Sequence, residues 1–454
     1  MNESVVAALR RAVGGEHVRT GDAARPYAID GRVPGAVVFP ATQAEVAAVV
    51  KEAAAAGLSL FPRGGGTQLH LGNVPRKVDI VVCLERLNGV VAHEPADMTV
   101  TVEAGLPLAR LQEFLGASRQ YLPIDPPLPA AATVGGILAT RALGPMRFAH
   151  RTIADWLLGI KVVTAQGALT KAGGRVVKNV AGYELGRLYT GSMGTLAVIV
   201  EATFKVQPLP RARGCLLVPC PDLAAARTLV SAVLGCPVQP VFIELVGGNE
   251  GGDAAHRALF ELAGARAGGA AVLAVGFTGT PEEVEWQLAT LEETFARTRE
   301  GGSAGRTGAP VRAPWEAVHP CLLAAHEHGA VPEERIVCRV HVLGTELFDF
   351  LARALDGSDG PGRVRFAAHA GSGIARIHIT GVTDAGAARE RILRWRERAK
   401  AAHGRLIVET APAALKASLD VWGEPGPDYF LHRAVKERMD PRAVLSPGRF
   451  IGGI

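Results

Sequence analysis

A short apolar run, Leu58 to Phe61, ends in Pro62-Arg63-Gly64-Gly65-Gly66-Thr67, and this loop constrains the fold more than any other stretch of the chain. Three consecutive residues without Cβ let the backbone curl until successive N–H groups converge on one point, which makes a nest for an anion. The loop fits neither common phosphate signature. No lysine followed by Ser or Thr closes it as in a P-loop, and the G-x-G-x-x-G of a Rossmann turn is missing. A phosphate site and a plain surface turn are both open readings of this loop alone.

Two further glycine clusters follow. The prolines Pro123, Pro126, Pro127 and Pro129 force an extended, rigid crossing, which delivers Thr133-Val134-Gly135-Gly136-Ile137-Leu138-Ala139. Its paired glycines permit close backbone approach to a flat or phosphorylated group, or a tight helix start packed on a neighbour. The third cluster, Gly191-Ser192-Met193-Gly194-Thr195, opens a strongly β run from Ala197 to Val206 that contains Ile199.

Around these loops the pattern alternates between strands and helices. After a lead-in helix, Ala36 to Pro40 reads as a strand and Thr42 to Gly57 as a helix capped by Thr42 and ended by Gly57. Strands are expected at Val78 to Leu84 and Met98 to Val102, and Pro107 opens a helix to Leu115. Pro208 and Pro210 mark a domain boundary. Beyond it strands at Val238 to Leu245, Ala270 to Phe277, Ile336 to Leu343, Val364 to Ala368 and Ile374 to Thr380 mix with helices at Leu223 to Leu234, Pro281 to Arg297, Glu346 to Leu355 and Ala385 to Ala402. The fold class is α+β, with the helices of the second domain expected on one face of its sheet. Gly301 to Pro310 reads as the most flexible stretch, and no internal sequence repeat is evident.

Composition excludes several functions. With 454 residues, 48% hydrophobic and 20% charged, the chain has room for two or three domains and the character of a globular enzyme. Lys and Arg number 49 against 44 Asp and Glu, a scattered excess that gives a nucleic-acid role little support. Arg394, Arg396 and Arg398 read as the solvated face of a helix. The six cysteines show no C-x-x-C spacing, so they are expected reduced, and no iron–sulfur cluster is expected on this chain. The N-terminus lacks a basic region followed by an apolar one, and no apolar stretch approaches the roughly 18 residues of a spanning helix. A cytoplasmic protein, at most peripheral to a membrane, is the expectation.

Taken together, the three glycine clusters resemble the flavin-binding domain of the vanillyl-alcohol-oxidase (PCMH) type, in the branch of D-lactate dehydrogenases and glycolate oxidase. The resemblance runs from about Val37 to Pro210. It implies that Arg63, Gly64, Gly65, Gly66 and Thr67 wrap the pyrophosphate of FAD. Thr133, Val134, Gly135, Gly136 and Ala139 would lie against the phosphates and ribityl chain, and Gly191, Gly194 and Thr195 near the adenosine, with Ile199 and Glu201 on the strand behind. The segment from Gly174 to Tyr183 is similar to one that typifies the FAD-binding E subunit of bacterial glycolate oxidase, as is the ending from Asp440 to Phe450. That ending implies a C-terminal segment returning to the flavin domain, hence residues 1–210 as an FAD-binding domain, 211–410 as an α+β, ferredoxin-like substrate or cap domain, and 411–454 as the return. Two departures stand out. The family's Asn-Pro-Gly-Arg carries Ser446 in place of asparagine, and its usual Tyr-Gly is His150-Arg151.

Oxidising a 2-hydroxy acid requires a hydride acceptor, a base for the hydroxyl proton and a cation for the carboxylate. The resemblance implies FAD for the first, held non-covalently because Thr67 stands where covalent relatives carry histidine. The His-x-Gly-Asp-Gly-Asn-x-His and Glu-His-Gly stretches of catalytic relatives, often metal-bearing, are degraded here to the run from His369 to His378 and to Glu409-Thr410-Ala411, so no metal is expected. His369 reads as a base near the flavin or as a hydrogen-bonded histidine in a bend. His326 and His328 read as solvated, and Arg63, Lys178 and Tyr183 as facing flavin or bracing their loops. No residue is assigned a catalytic role. The leading function is the FAD-binding subunit of a glycolate oxidase-like complex, with a larger flavoprotein and an iron–sulfur subunit as partners. A self-sufficient dehydrogenase for D-lactate or a related acid and a structural flavin-binding assembly subunit are the alternatives.

Overall fold

The computed structural model describes residues 1–176, 182–248, 253–265, 270–300, 307–327, 335–360, 362–382 and 384–454. The glycine loop leaves a four-stranded sheet ordered Val18–Arg19, Ala36–Val38, Ile80–Cys83, Leu60–Arg63, in which the last three strands are parallel. Parallel strands need a crossover, and the helix Gln43–Ala55, capped by the Thr42 side chain, carries the chain from Ala36–Val38 to Leu60–Arg63 on the far side of Ile80–Cys83. Both faces of these strands are buried, which explains why Ile80-Val81-Val82-Cys83 is apolar without alternation.

A five-stranded antiparallel sheet follows, ordered Val90–Glu94, Thr99–Glu103, Ala197–Lys205, Leu157–Thr164, Leu169–Gly173. The helix Val134–Thr140 packs on its central strand, Ala197–Lys205. Thr133 starts that helix by accepting from the Gly136 N–H at 3.3 Å. The expected tight helix start is therefore present, and its glycines serve close packing as well.

The remainder builds one eight-stranded antiparallel sheet, ordered Val311–Ala313, Ala212–Cys220, Ala271–Gly279, Phe242–Gly248, Arg363–His369, Ile374–Thr380, Ile336–His341, Arg405–Thr410. Read in chain order, the second half is a strand, helix, strand, strand, helix, strand unit, the first adds the helix Ala254–Leu262 between its second and third strands, and both have the ferredoxin-like pairing order 4-1-3-2. The two units meet edge to edge through their second strands, with Glu244 opposite His369. A structural repeat thus exists where the sequence shows none, because only the pattern of burial is shared.

The helices Leu223–Gly235, Pro281–Glu300, Leu347–Leu355 and Ala385–Ala401 cover one face in a single large core. Contrary to the one-face expectation, Ala254–Leu262 and Trp315–Ala325 lie on the other face. Cys215, Leu217, Phe242, Val246 and Val272 make that part of the sheet apolar, and it needs cover of its own. Of the three arginines of the Ala385–Ala401 helix, Arg394 is exposed as expected, while Arg396 and Arg398 are half-buried. Arg394 and Arg398 grip the buried carboxylate of Asp359, and Arg396 donates to the Asp420 and Val421 carbonyls at 2.6 and 3.1 Å.

The C-terminal segment crosses back to the glycine loop. Leu60 donates to the Val444 carbonyl at 2.7 Å, and Ser446 donates to that of Leu60 at 2.9 Å, extending the strand edge. The buried ammonium of Lys436 donates to the Thr195 and Leu445 carbonyls and to Asp440, at 2.7 to 2.9 Å.

Candidate functional site

Three chain segments close on one cavity. Arg63 to Thr67 form one wall. Thr133, Gly136, Ala139 and Thr140 form the second, and Met193 and Gly194 the third. Ser446 and Arg449, which the sequence associated with the family's ending, join them.

The glycines are required by contact. A Cβ on Gly64 would overlap the Thr133 hydroxyl, and one on Gly65 would overlap the Ala131 carbonyl oxygen. Gly66 and Gly194 take φ of 78° and 68°, which side-chain-bearing residues rarely adopt. Arg63 stays by its own loop, donating to the Gly64 carbonyl at 3.2 Å while its guanidinium lies over the Tyr27 ring. Its Nε is buried without a partner. A nest of free backbone N–H groups beside an orphaned guanidinium nitrogen fits a diphosphate, so these residues fit FAD.

The other expected residues stand behind the wall. Val134 and Gly135 are buried, and Gly135 donates to the Ala104 carbonyl at 2.7 Å. Gly191 and Thr195 line a neighbouring cavity against the helix Tyr429–Met439. Ile199 is buried in its strand opposite Val162, and Glu201 is held by Lys161 and Gln43, both at 2.9 Å. These residues place the loops instead of facing the cavity. Arg449 ties the ending to the first loop, donating to the Leu69, Leu71 and Asn73 carbonyls and to Asp30.

A second polar group lies on the seam of the eight-stranded sheet. Glu244 and His369 are cross-strand partners, so their side chains share one face. Glu244 accepts from His369 Nδ1 at 2.7 Å and from His326 Nε2 at 2.6 Å, and the two imidazoles stack 4.2 Å apart. His326, expected to be solvated, is fully buried, because it follows the helix Trp315–Ala325 that covers this face. His328 and Lys178 lie outside the described residues, with the rest of 177–181, and Tyr183 is 91% exposed. Arg376 donates to Glu409 at 2.7 Å and to His326 Nδ1 at 3.4 Å. Arginine can only donate, so His326 Nδ1 is the acceptor and its Nε2 carries the proton given to Glu244. Arg339, across from Arg376 in the register, also pairs with Glu409 at 3.2 Å.

Glu244, His326 and His369 bring ligand-type atoms within 4.8 Å of one another. The arrangement does not fit a divalent ion. Both carboxylate oxygens are engaged by imidazoles, and Arg376 points its guanidinium into the group. Burial pushes Glu244 well above the usual carboxylate range, opposed by Arg376 and Arg147. Burial first, then His326 and the three arginines Arg376, Arg147 and Arg339, holds His369 well below an ordinary imidazole. Sequence reasoning placed His369 here but missed Glu244, 125 residues away in sequence.

His150 is wedged edge-on between Tyr121 and Trp156. Arg151 holds φ of 63°, where the glycine usual in similar proteins carries no strain.

Comparison with known proteins agrees with this geometry. Residues 34–173 match the FAD binding domain family. The chain is 28% identical over 214 residues to glycolate oxidase subunit GlcD of Bacillus subtilis, covering 47% of this chain and 46% of that protein. Over 200 residues it is 38% identical to D-lactate dehydrogenase of Archaeoglobus fulgidus, 43% of this chain and 44% of that one. It is 40% identical over 125 residues to glycolate oxidase subunit GlcE of Escherichia coli, 27% of this chain and 36% of that subunit. The matches thus span less than half the length of these relatives. Among solved structures, p-cresol methylhydroxylase superposes with a TM-score of 0.73 at 17% identity, covering 98% of this chain and 96% of that one. Alkyldihydroxyacetonephosphate synthase gives 0.71 at 18%, covering 99% and 86%. Both show the fold, a mixed α+β architecture. Residues 209–450, more than half of the chain, match the FAD linked oxidases, C-terminal domain family, and this chain belongs to the FAD-linked oxidases.

Proposed function

We propose that this chain is the FAD-binding subunit of a glycolate oxidase-like complex, which oxidises a small 2-hydroxy acid and passes the electrons to an iron–sulfur partner. The observation that carries the reading is the glycine cradle, whose three loops line one cavity and leave no space for Cβ atoms on Gly64 and Gly65. The names of the relatives, glycolate oxidase subunits and D-lactate dehydrogenases, support the substrate class. When bound, FAD supplies the acceptor for the α-hydrogen and its electron pair, while the hydroxyl proton goes to a base and a 2-oxo acid remains.

Thr67 in the cavity wall favours non-covalent FAD. The absence of paired cysteines along the sequence assigns any cluster to a separate subunit, beside a larger flavoprotein. Among the described residues no helix is long and apolar enough to cross a membrane, and attachment at the inner membrane would run through those partners.

The test is turnover of the purified chain, alone and as the complex isolated with its partners, on glycolate, D-lactate and D-2-hydroxyglutarate with a dye acceptor. Activity confined to the complex supports the subunit reading. Full activity of the chain alone overturns it in favour of a self-sufficient dehydrogenase. Bound FAD that none of these acids bleaches in the complex points to a structural flavin.

A further inference from the structure

A second cleft opens between the flavin-binding part of the chain and the eight-stranded sheet, and it shares no lining residue with the glycine cradle. Leu108, from the helix Leu108–Gly116, and Ile124, Pro126 and Pro129, from the proline-rich crossing, form an apolar wall. Trp315, His319 and Leu323, all on the helix Trp315–Ala325, form another. A mostly apolar cleft with a few convergent polar groups, set where two parts of a chain meet, has the make-up of a small-molecule site.

Asp125 ties the two walls together. Its carboxylate accepts from His319 Nε2 at 2.8 Å and from the Met146 N–H at 3.1 and 3.0 Å, so three donor contacts satisfy it and no free negative charge is left in the cleft. Because Nε2 donates to Asp125, the other ring nitrogen of His319, Nδ1, is the one left for a ligand, and it makes no hydrogen bond to a described residue. The positive charge is not neutralised in the same way. Arg213 is exposed, lines the cleft and lies over the Trp315 ring at 5.6 Å, with no hydrogen bond or ion pair to a described residue. His319 stacks on the same Trp315 ring at 5.0 Å. The two polar groups therefore mark one end of the cleft, and Leu108, Ile124 and the prolines are left for an apolar body.

Gly116 gives an independent sign that the cleft is kept open. The cradle glycines Gly64 and Gly65 are demanded by contact, whereas a Cβ on Gly116 would meet nothing within 4 Å, and its φ is not positive. Packing does not call for glycine at this helix end, and glycine weakens a helix. Its smallness serves the cleft that it lines.

We infer that this cleft binds an apolar monocarboxylate, its carboxylate at the end marked by Arg213 and His319 and its hydrocarbon body against Leu108, Ile124 and the prolines. One unpaired guanidinium matches one negative charge, and its forked donors suit a planar carboxylate. The apolar walls disfavour a polyanion such as a nucleotide, which would leave charges without partners. The site asks nothing of the flavin and is independent of the function proposed above. It is nevertheless close to the cradle: Leu108 donates to the Ala132 carbonyl at 2.9 Å, and the next residue, Thr133, lines the flavin cavity. The flavin spectrum thus reports whether a variant keeps this wall in place.

The experiment is calorimetry on the full FAD-loaded chain with octanoate and, as its neutral counterpart, 1-octanol. Octanoate should bind at a single site, roughly tenfold or more tightly than octanol. Arg213→Met should weaken octanoate roughly fivefold or more and leave octanol within roughly twofold, and Arg213→Lys should recover part of the loss. Gly116→Phe adds bulk at a position with space for it and should weaken both ligands roughly tenfold or more, with the flavin spectrum unchanged. Octanoate that does not saturate a single site overturns the proposal, as does octanoate affinity unchanged in Gly116→Phe, which would place the binding elsewhere. Octanol bound as tightly as octanoate, or wild-type octanoate affinity in Arg213→Met, overturns the carboxylate assignment.

Discussion

The glycine cradle and the charged seam are both buried polar surfaces, and they are made of opposite materials. The cradle is backbone. Its donors are amide groups in three loops, and its specificity lies in the absence of Cβ atoms from Gly64 and Gly65. The seam is side chain: Glu244, His369, Arg376 and Glu409 come from four separate strands, and each is held by another. Backbone donors cannot lose their polarity by mutation, whereas the seam depends on every partner being present. The cradle should therefore fail by steric insertion, and the seam by leaving a charge alone.

The largest expected effect tests the seam. Arg376→Met removes the 2.7 Å partner of the buried Glu409 carboxylate and the donor to His326. Breaking a buried pair costs about 3–5 kcal/mol, and urea denaturation of the full chain should show a loss of that order. A loss below about 1 kcal/mol would mean that water reaches Glu409 and that the seam is not a closed network.

Gly65→Ala tests the cradle. The added methyl meets the Ala131 carbonyl, so the loops must separate, at about 3 kcal/mol in overpacking. FAD should be lost on desalting. Retained FAD would show that the cradle adapts, and the contrast with the seam would fall.

The two regions also differ in how far they could be read from the amino-acid sequence. Gly64-Gly65-Gly66, Gly135-Gly136 and Gly191 to Gly194 announce themselves because glycine is the side-chain choice for close backbone approach, so the cradle was visible. The helix Gln43–Ala55 and most strand centres were equally plain from period and capping. The seam was not, because its parts are single polar residues scattered from Asp125 to Glu409 whose meaning depends on strand register. Glu244 finds His369 only once the two ferredoxin-like units pair. Pro320 inside the helix Trp315–Ala325 concealed the element that buries His326. The two departures from the family pattern share one cause: Arg151 and Ser446 both have positive φ, 63° and 42°, where glycine and asparagine are easily accommodated.

A smaller effect tests the tie between the cradle and the C-terminal part of the chain. Lys416 donates to Asp30 at 2.6 Å and to the His70 carbonyl at 2.8 Å, and burial lowers its pKa from 10.5 to about 8, with Arg449 adding to the shift and Asp30 opposing it. Above pH 8 the folded chain gives up this proton while the unfolded chain keeps it. The unfolded state then binds more protons, and stability rises with pH until the unfolded lysine also titrates. Relative to Lys416→Met, the wild type should gain about 2 kcal/mol between pH 8 and 9.5, read from urea midpoints. A difference that stays flat would place Lys416 in contact with water.

The smallest effect concerns Arg151, which is exposed and sits at the φ of 63° just noted. Its backbone strain is independent of both polar surfaces, so relieving it should change stability alone. Arg151→Gly removes the Cβ clash but loosens the unfolded chain, and the balance should favour the folded state by about 1 kcal/mol. Arg151→Ala keeps the clash and should give no gain. Thermal unfolding of the two variants side by side separates strain from the loss of the guanidinium: equal midpoints would mean that the side chain matters and the backbone does not. Flavin content should match the wild type in both, since Arg151 does not line the glycine cradle.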